Sequence, residues 1–169
     1  RSSATKACAF LAAPLVVPGS MLGLNGSVAP SEKINLGGIG IGGRGQHVLG
    51  DMMSQKEVRF AAICDVRAER RKDIKDMADA AYGNKDCATY IDFFELLARQ
   101  DIDAVLIATG DRWHTMASIQ AAKAGKDIYC EKPNTLTIQE GRLLADTVRR
   151  YERVFQNGSQ YRSIPTIRR

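Results

Sequence analysis

Gly40-Ile41-Gly42-Gly43-Arg44-Gly45 decides the fold of this chain, because it fits the pattern G-x-G-x-x-G. The apolar run at 34–41 predicts a strand leading into it, and the following residues have helical periodicity. Glycines at this spacing permit a tight turn, a close approach of backbone to a diphosphate, and close helix packing. The start of the helix offers free N–H groups and a positive dipole end to phosphates. A second register, with Gly38, Gly40 and Gly43, also matches.

An acidic residue strengthens this prediction of a dinucleotide loop. Asp65 lies 20 residues after Gly45, directly after an apolar run at 58–64 that predicts a second strand. Its carboxylate could accept hydrogen bonds from the hydroxyls of an adenosine ribose, which favours NAD because a carboxylate repels a 2′-phosphate. Because Arg67 lies two residues after Asp65, NADP stays open as the alternative cofactor. A glycine-rich turn beside a solvated aspartate is the structural alternative to the whole motif.

Apolar runs alternate with helical patterns from residue 31 onward, which is typical of a parallel sheet with crossover helices. We expect six strands, at 34–41, 58–64, 88–90, 104–108, 127–130 and 154–156. We expect a helix after the glycines and further helices at 67–82, 93–99, 113–125 and 137–150. The apolar face of the last helix should contain Ile138, Leu143, Leu144 and Val148. The predicted fold class is α/β, a doubly wound parallel sheet of the Rossmann, dinucleotide-binding type.

Size and charge describe an ordinary soluble globular protein of one domain. The chain has 169 residues, of which 44% are hydrophobic and 25% are charged. The net charge is +5, but residues 1–30 contribute Arg1 and Lys6 and no acid, so the remainder carries 22 minus 19, or +3. Because no basic run is interleaved with aromatic residues, we expect no nucleic-acid partner.

The cysteines and histidines do not have the spacing of a metal site. The four cysteines form no C-x-x-C pattern, and the two histidines are far apart in sequence. Cys64 and Cys130 each end an apolar strand, so we expect buried free thiols there and no bound metal.

The first thirty residues differ from the rest of the chain. Ala7 to Val17 is an apolar stretch behind two basic residues, and its 11 residues are too few to span a bilayer as a helix. The stretch suits the apolar region of an export signal, which predicts a periplasmic protein. A disordered or docked N-terminal arm is the alternative for residues 1–30, and the protein would then be cytoplasmic.

The end of the fourth predicted strand carries several polar residues. The run from Thr109 through Asp111 and Trp113 to His114 lies there, at the edge where ligands bind in open parallel sheets. His114 could donate to or accept from a cofactor or substrate, and a capping or surface histidine is the alternative. Trp113 is either a packing residue or a wall of the pocket.

Glu131-Lys132-Pro133 follows the fifth predicted strand at the same edge. A lysine there could reach into the crevice and exchange a proton with a substrate hydroxyl. Glu131 could hold its ammonium group, and Pro133 restricts Lys132 to an extended backbone. A surface lysine is the alternative.

Together these motifs resemble the Gfo/Idh/MocA oxidoreductase family, named for glucose–fructose oxidoreductase and inositol dehydrogenase. The resemblance covers roughly residues 31–169 and rests on the segments at 34–45, 63–66, 108–114, 125–133 and 158–160. It implies a Rossmann cofactor domain at 31–158, with 159–169 starting the crossover into a substrate domain outside this chain. The stretch ending Val17-Pro18-Gly19-Ser20 resembles the export leaders of secreted members.

The resemblance implies NAD- or NADP-dependent oxidoreductase chemistry on a sugar, polyol or related compound. Lys132 matches the catalytic lysine of the family, with His114 assisting. The implied cofactor-binding residues are Gly40, Ile41, Gly42, Gly43, Arg44, Gly45, Asp65, Arg67, Thr109, Asp111, Trp113, His114, Glu131 and Lys132. Two other functions stay open: a glycosidase that uses bound NAD as a transient oxidant, and a cofactor-binding scaffold without turnover. The family implies homo-oligomers through the substrate domain, and we expect the cofactor domain alone to be inactive.

Overall fold

The structure is a computed structural model that describes residues 28–163 together with Gly19 and Leu24. The leader predicted at 1–30 lies almost wholly outside the described residues, as do Cys8 and the second half of the crossover predicted at 159–169. In the described part of the chain, no helix has the length and apolar character needed to cross a bilayer.

Within residues 28–163, six parallel strands form one sheet in the order β3-β2-β1-β4-β5-β6. The strands are β1 (Ile34–Ile39), β2 (Val58–Cys64), β3 (Ala88–Tyr90), β4 (Ala104–Ile107), β5 (Asp127–Glu131) and β6 (Phe155–Gly158). The strand order reverses between β1 and β4, so a crevice opens at the carboxyl ends of these two strands. The predicted α/β, Rossmann-type fold is confirmed.

Five α-helices connect the strands in the same range: α1 (Gly43–Met53), α2 (Ala68–Tyr82), α3 (Phe93–Leu97), α4 (His114–Lys123) and α5 (Ile138–Arg150). Their ends follow local sequence signals. Gly83 ends α2 in the left-handed conformation, with φ 65°, and Asp92 caps α3 by accepting from the N–H of Phe94. Thr137 and Glu140 form a capping box at the start of α5.

Both faces of the sheet are covered, which explains why its central strands are almost continuously apolar. Helices α3, α4 and α5 cover one face, over a core that includes Leu96, Val105, Ile107, Ala121 and Ile128. Helices α1 and α2 cover the other face, over a core that includes Leu49, Phe60, Ile63, Ile74 and Leu106.

Several predicted boundaries of helices and strands are wrong, and so is part of the predicted apolar face of α5. Strand β1 ends at Ile39, because Gly40 has a φ of +68° and turns the chain. Helix α4 begins after a 3-10 turn at Asp111–Trp113, and β6 lies at 155–158. In α5, Leu144 is buried and Val148 is partly buried against the core, as predicted, because this side of the helix packs against α4. Ile138 is 95% exposed and Leu143 is 56% exposed.

The buried free thiols predicted at Cys64 and Cys130 are confirmed, and Cys87 is a third. Burial raises the pKa of Cys64 to about 12 and the pKa of both other thiols to about 11. These thiols are therefore protonated and unreactive at neutral pH.

Candidate dinucleotide site

The turn after β1 has room for glycine only. At Gly40, φ is +68°, and a Cβ would lie 2.4 Å from Cγ2 and 2.8 Å from Cα of Thr109. The N–H of Gly40 donates to the carbonyl of Cys64 at 2.8 Å. The turn therefore touches the ends of both neighbouring strands, β2 and β4.

The start of α1 is held close to the sheet and left open in front. A Cβ at Gly45 would lie 2.8 Å from the Cβ of Ala108, and Ile41 is fully buried beneath the loop. A Cβ at Gly43 would meet no atom within 4 Å. Gly42 is the N-cap and offers no side-chain acceptor, so the first N–H groups of the helix are available to an anion.

Two cavities open along this edge of the sheet. The first, here the loop cavity, has a volume of about 400 Å³. It is lined by Gly42, Gly43, Arg44, Gly45, Arg70, Ala108, Thr109, Gly110, Asp111, His114, Glu131 and Lys132. It therefore brings together most of the predicted site residues from β1, β4 and β5.

The second cavity, here the Asp65 cavity, has a volume of about 390 Å³ and mostly apolar walls. Gly40, Asp65 and Thr109 are among its lining residues. Its apolar lining includes Val66, Ile91 and Trp113, which are 80%, 63% and 52% exposed. Exposed apolar side chains around a cavity suit a flat aromatic ligand.

Asp65 is buried at the end of β2, and one of its oxygens has an ion-pair contact but no hydrogen bond. Its Oδ1 accepts from the backbone N–H of Arg67 at 2.8 Å, whereas its Oδ2 is buried without a hydrogen-bond partner. Nη1 of Arg70 lies 3.8 Å from Oδ2, beyond hydrogen-bond distance. An unpaired buried acceptor costs free energy, which a ligand hydroxyl donor would recover.

Arg70 lines both cavities and was missed by sequence reasoning. A Cβ at Gly42 would lie 3.4 Å from Nη1 of Arg70, so the guanidinium lies against the glycine loop. The available signal was its position in the first turn of α2, the helix that follows Asp65. Arg67, which was predicted, contributes its backbone N–H while its side chain is exposed.

His114 is 1% exposed, so it is not a surface histidine. Its Nδ1 lies 2.6 Å from the carbonyl oxygen of Pro133, and its Nε2 lies 3.1 Å from the carbonyl oxygen of Thr109. The ring therefore bridges the segments that follow β4 and β5. Asp111 is exposed at the edge of the same cavity.

Glu131 is buried and connects three parts of the site. Its Oε1 accepts from the side-chain amide of Gln160 and lies 3.7 Å from Nε of Arg44. The same amide donates to the hydroxyl of Tyr129 at 3.0 Å. Oε2 accepts from the backbone N–H of Lys132 at 3.3 Å, so the carboxylate holds the backbone of this lysine and not its ammonium group.

Lys132 is exposed and lines the loop cavity. Gln160 lies in the network beneath it, and its 29-residue separation from Glu131 left no local signal of that contact. Within the described residues, no three side chains of His, Cys, Asp or Glu are grouped so that they could hold a metal ion.

A family model described as "Oxidoreductase family, NAD-binding Rossmann fold" matches residues 34–159. The chain belongs to this Gfo/Idh/MocA family. The resemblance stated from the motifs is thereby confirmed.

Two curated relatives of this chain are named as glycosidases. The glycosyl hydrolase family 109 protein of Saccharopolyspora erythraea is 33% identical over 133 residues, which are 76% of this chain and 28% of the relative. The alpha-N-acetylgalactosaminidase of Shewanella oneidensis is 31% identical over 144 residues, which are 80% of this chain and 30% of the relative. The chain thus spans less than a third of the length of either relative.

A solved NAD-binding protein from Listeria innocua has a similar structure. It superimposes with a TM-score of 0.65 and 32% identity, over 77% of this chain and 36% of that one. The similarity therefore covers the Rossmann unit of a longer protein.

The chain's own residues fit a dinucleotide. The loop cavity offers free helix N–H groups and Arg44 to a diphosphate, and the Asp65 cavity offers a carboxylate oxygen without a hydrogen bond among apolar walls. The two cavities share Thr109 and Arg70, so one extended ligand could occupy both.

Proposed function

We propose that this chain is the cofactor-binding part of an NAD-dependent oxidoreductase acting on a sugar, polyol or related compound. Residues 31–158 would form the cofactor domain, and 159–169 would lead into a substrate domain. The observation that carries the proposal is the buried Oδ2 of Asp65, which has no hydrogen-bond partner and lies beside a cavity that continues into the glycine loop. The family description and the solved NAD-binding protein support it.

Each part of the site has a defined task in this proposal. The first N–H groups of α1 and the guanidinium of Arg44 bind the diphosphate, and Asp65 accepts from the hydroxyls of the adenosine ribose. Trp113 and Val66, which line the Asp65 cavity, would flank the adenine. When bound, the nicotinamide would supply hydride exchange with the substrate carbon.

Lys132 is the residue that we propose to exchange the proton of the substrate hydroxyl. It is exposed to the loop cavity, and its backbone is held by Glu131. His114, the second predicted catalytic residue, has both ring nitrogens at carbonyl oxygens. Lys132 is therefore the better placed of the two for proton transfer.

The cofactor proposal is tested by Asp65→Ala in the complete protein. Loss of a charge-assisted hydrogen bond should weaken NAD binding about 10- to 100-fold, and NADP binding less, as measured by calorimetric titration. Asp65→Asn retains the contact to the N–H of Arg67 and isolates the effect of the charge. Equal losses for NAD and NADP would contradict the preference for NAD.

An NAD-dependent glycosidase is the second candidate, favoured by the names of relatives that are 31% and 33% identical to this chain. The two reactions differ in their products. Accumulation of NADH with an oxidised sugar indicates a dehydrogenase, whereas release of an aglycone without net NADH indicates a glycosidase.

A scaffold without turnover is separated from both enzymes by Lys132→Met. We expect NAD binding to persist in this variant while turnover falls by at least about a hundredfold, the lower end of the range for a positioned acid or base. Unchanged turnover would remove Lys132 from the mechanism.

We further propose export to the periplasm and homo-oligomerisation through the substrate domain. The apolar stretch behind Arg1 and Lys6 supports export, and the family resemblance supports oligomerisation. Cell fractionation of the complete protein tests the first, and its mass in solution tests the second.

A further inference from the structure

We propose that His114 and Thr115 are positioning residues that clamp the loop carrying Lys132, and that His114 exchanges no proton with the substrate. The clamp itself follows from contacts within this chain. Its effect on catalysis rests on the proposed function, in which Lys132 transfers the proton.

Two consecutive side chains contact two consecutive carbonyl groups. Nδ1 of His114 lies 2.6 Å from the carbonyl oxygen of Pro133, and Oγ1 of Thr115 donates to that of Asn134 at 3.1 Å. Both side chains belong to the first turn of α4, and both carbonyls directly follow Lys132. The start of α4 therefore holds this loop at two successive points.

The other side of the imidazole faces a carbonyl group as well. Nε2 of His114 lies 3.1 Å from the carbonyl oxygen of Thr109, the residue that packs against Gly40. His114 thus ties the end of β4 to the end of β5, next to the glycine turn that follows β1. The ring fixes the relative position of the strand ends that form the loop cavity.

The same contacts make His114 a poor acid or base. A carbonyl oxygen only accepts, so a neutral ring, which carries one N–H, donates to one of the two carbonyls at a time. With the ring 1% exposed and a carbonyl at each nitrogen, neither nitrogen faces a ligand. Proton transfer would require the ring to leave at least one of these partners.

The loop is also held from its other end. Oε2 of Glu140, a residue of the α5 capping box, accepts from the backbone N–H of Leu136 at 2.7 Å. The same oxygen lies 3.4 Å from Oγ1 of Thr115. The lysine side chain is flexible, so the position of its ammonium group depends on where the backbone is held. A fixed backbone restricts the space that the ammonium group can reach. The clamp would therefore act on Lys132 through the backbone.

Two substitutions of His114 separate positioning from proton transfer in the complete protein. The side-chain amide of His114→Asn can replace the Nδ1 donor to Pro133, whereas His114→Leu removes both contacts. We expect turnover to fall about tenfold in His114→Leu, with an unchanged shape of the pH profile, and His114→Asn to recover most of it. Equal inactivation of both variants, with loss of one limb of the pH profile, would overturn the proposal.

Thr115 provides a second pair of variants if His114→Leu does not fold. Thr115→Val removes the donor to Asn134 at nearly constant volume, and Thr115→Ser keeps it. The valine variant should lose turnover about fivefold and the serine variant should not. The opposite order, or no difference between the pair, would contradict the clamp.

A measurement on the unaltered protein needs no turnover. In ¹⁵N-histidine NMR, the ring N–H of His114 should exchange slowly with water and keep its shift when NAD is added. His47, which is exposed and contacts the carbonyl of Gly43 at 3.0 Å, serves as the internal reference. Fast exchange of the His114 ring N–H with water would refute the clamp. Absence of NAD binding or turnover would instead refute the proposed function, and the exchange rate of His114 would still decide whether the clamp exists.

Discussion

The Asp65 cavity and the loop cavity have almost the same volume, about 390 and 400 Å³, but they are built differently. The walls of the first are mostly apolar side chains, and one oxygen of its buried carboxylate accepts no hydrogen bond. In the second, Glu131 already accepts from Gln160 and from Lys132, and His114 already faces two carbonyl oxygens.

This difference separates two ways of preparing a binding site. Packing shapes the Asp65 cavity and leaves its acceptor for a ligand, so a polar change there should alter binding more than folding. A polar network and the glycines of the loop shape the loop cavity, so a substitution there should alter both folding and binding. The predictions below test this distinction.

The largest expected effect is that of Gly40→Ala in the glycine turn, which packs against Thr109, a wall residue of both cavities. Alanine would have to adopt a φ of +68° and place Cβ 2.4 Å from the side chain of Thr109. We expect a loss of about 3 kcal/mol in the free energy of unfolding, measured by urea denaturation, together with loss of NAD binding.

Gly43→Ala is the matched control for Gly40→Ala. Its Cβ would meet no protein atom within 4 Å, so the free energy of unfolding should change by less than about 0.5 kcal/mol. The new methyl group lies at the loop cavity and should still weaken NAD binding. Equal stability losses in the two variants would show that crowding does not shape the loop.

Gly158→Ala should have a smaller effect, because it disturbs the network of Glu131 without a left-handed backbone. A Cβ there would lie 3.0 Å from Cδ and 3.1 Å from Cα of Glu131. We expect a loss of about 2 kcal/mol in the free energy of unfolding, measured by urea denaturation, since overpacking forces the buried carboxylate away from Gln160. Gly141→Ala in α5 has only an ordinary contact at 3.5 Å and should be neutral or stabilising. A tolerated Gly158→Ala would show that the network is adaptable.

The smallest expected effect concerns Cys64 in the wall of the Asp65 cavity. Burial and then the charge of Asp65 raise the pKa of Cys64 from 9.0 to about 12. Above pH 9 the unfolded chain therefore binds fewer protons than the folded protein at this group, and stability falls as pH rises toward 12. Cys64→Ala should lose stability less steeply between pH 9 and 11 in urea denaturation, by at most about 1.4 kcal/mol per pH unit. Equal slopes in the two proteins would mean that this thiol is not kept protonated by the fold.

Much of the fold could be predicted because it depends on local patterns. Apolar runs indicated all six strands, and the glycine loop and Gly83 indicated where the chain turns. The predicted apolar face of α5 was right for Leu144 and Val148 and wrong for its other two residues, because periodicity shows which residues share a face but not how much of that face a neighbouring helix covers. Ile138 and Leu143 belong to the uncovered part.

The sequence by itself determined the order of strands and helices and the positions of the Gly40–Gly45 loop, Asp65 and Lys132, since apolar periodicity and glycine conformations act over a few residues. Only the tertiary structure decided that His114 lies between two carbonyl groups and that Glu131 meets Gln160. Pro133 lies 19 residues from His114, and Gln160 lies 29 residues from Glu131. Hydrogen bonds over such separations depend on how the strand ends are placed next to one another, which no local pattern encodes.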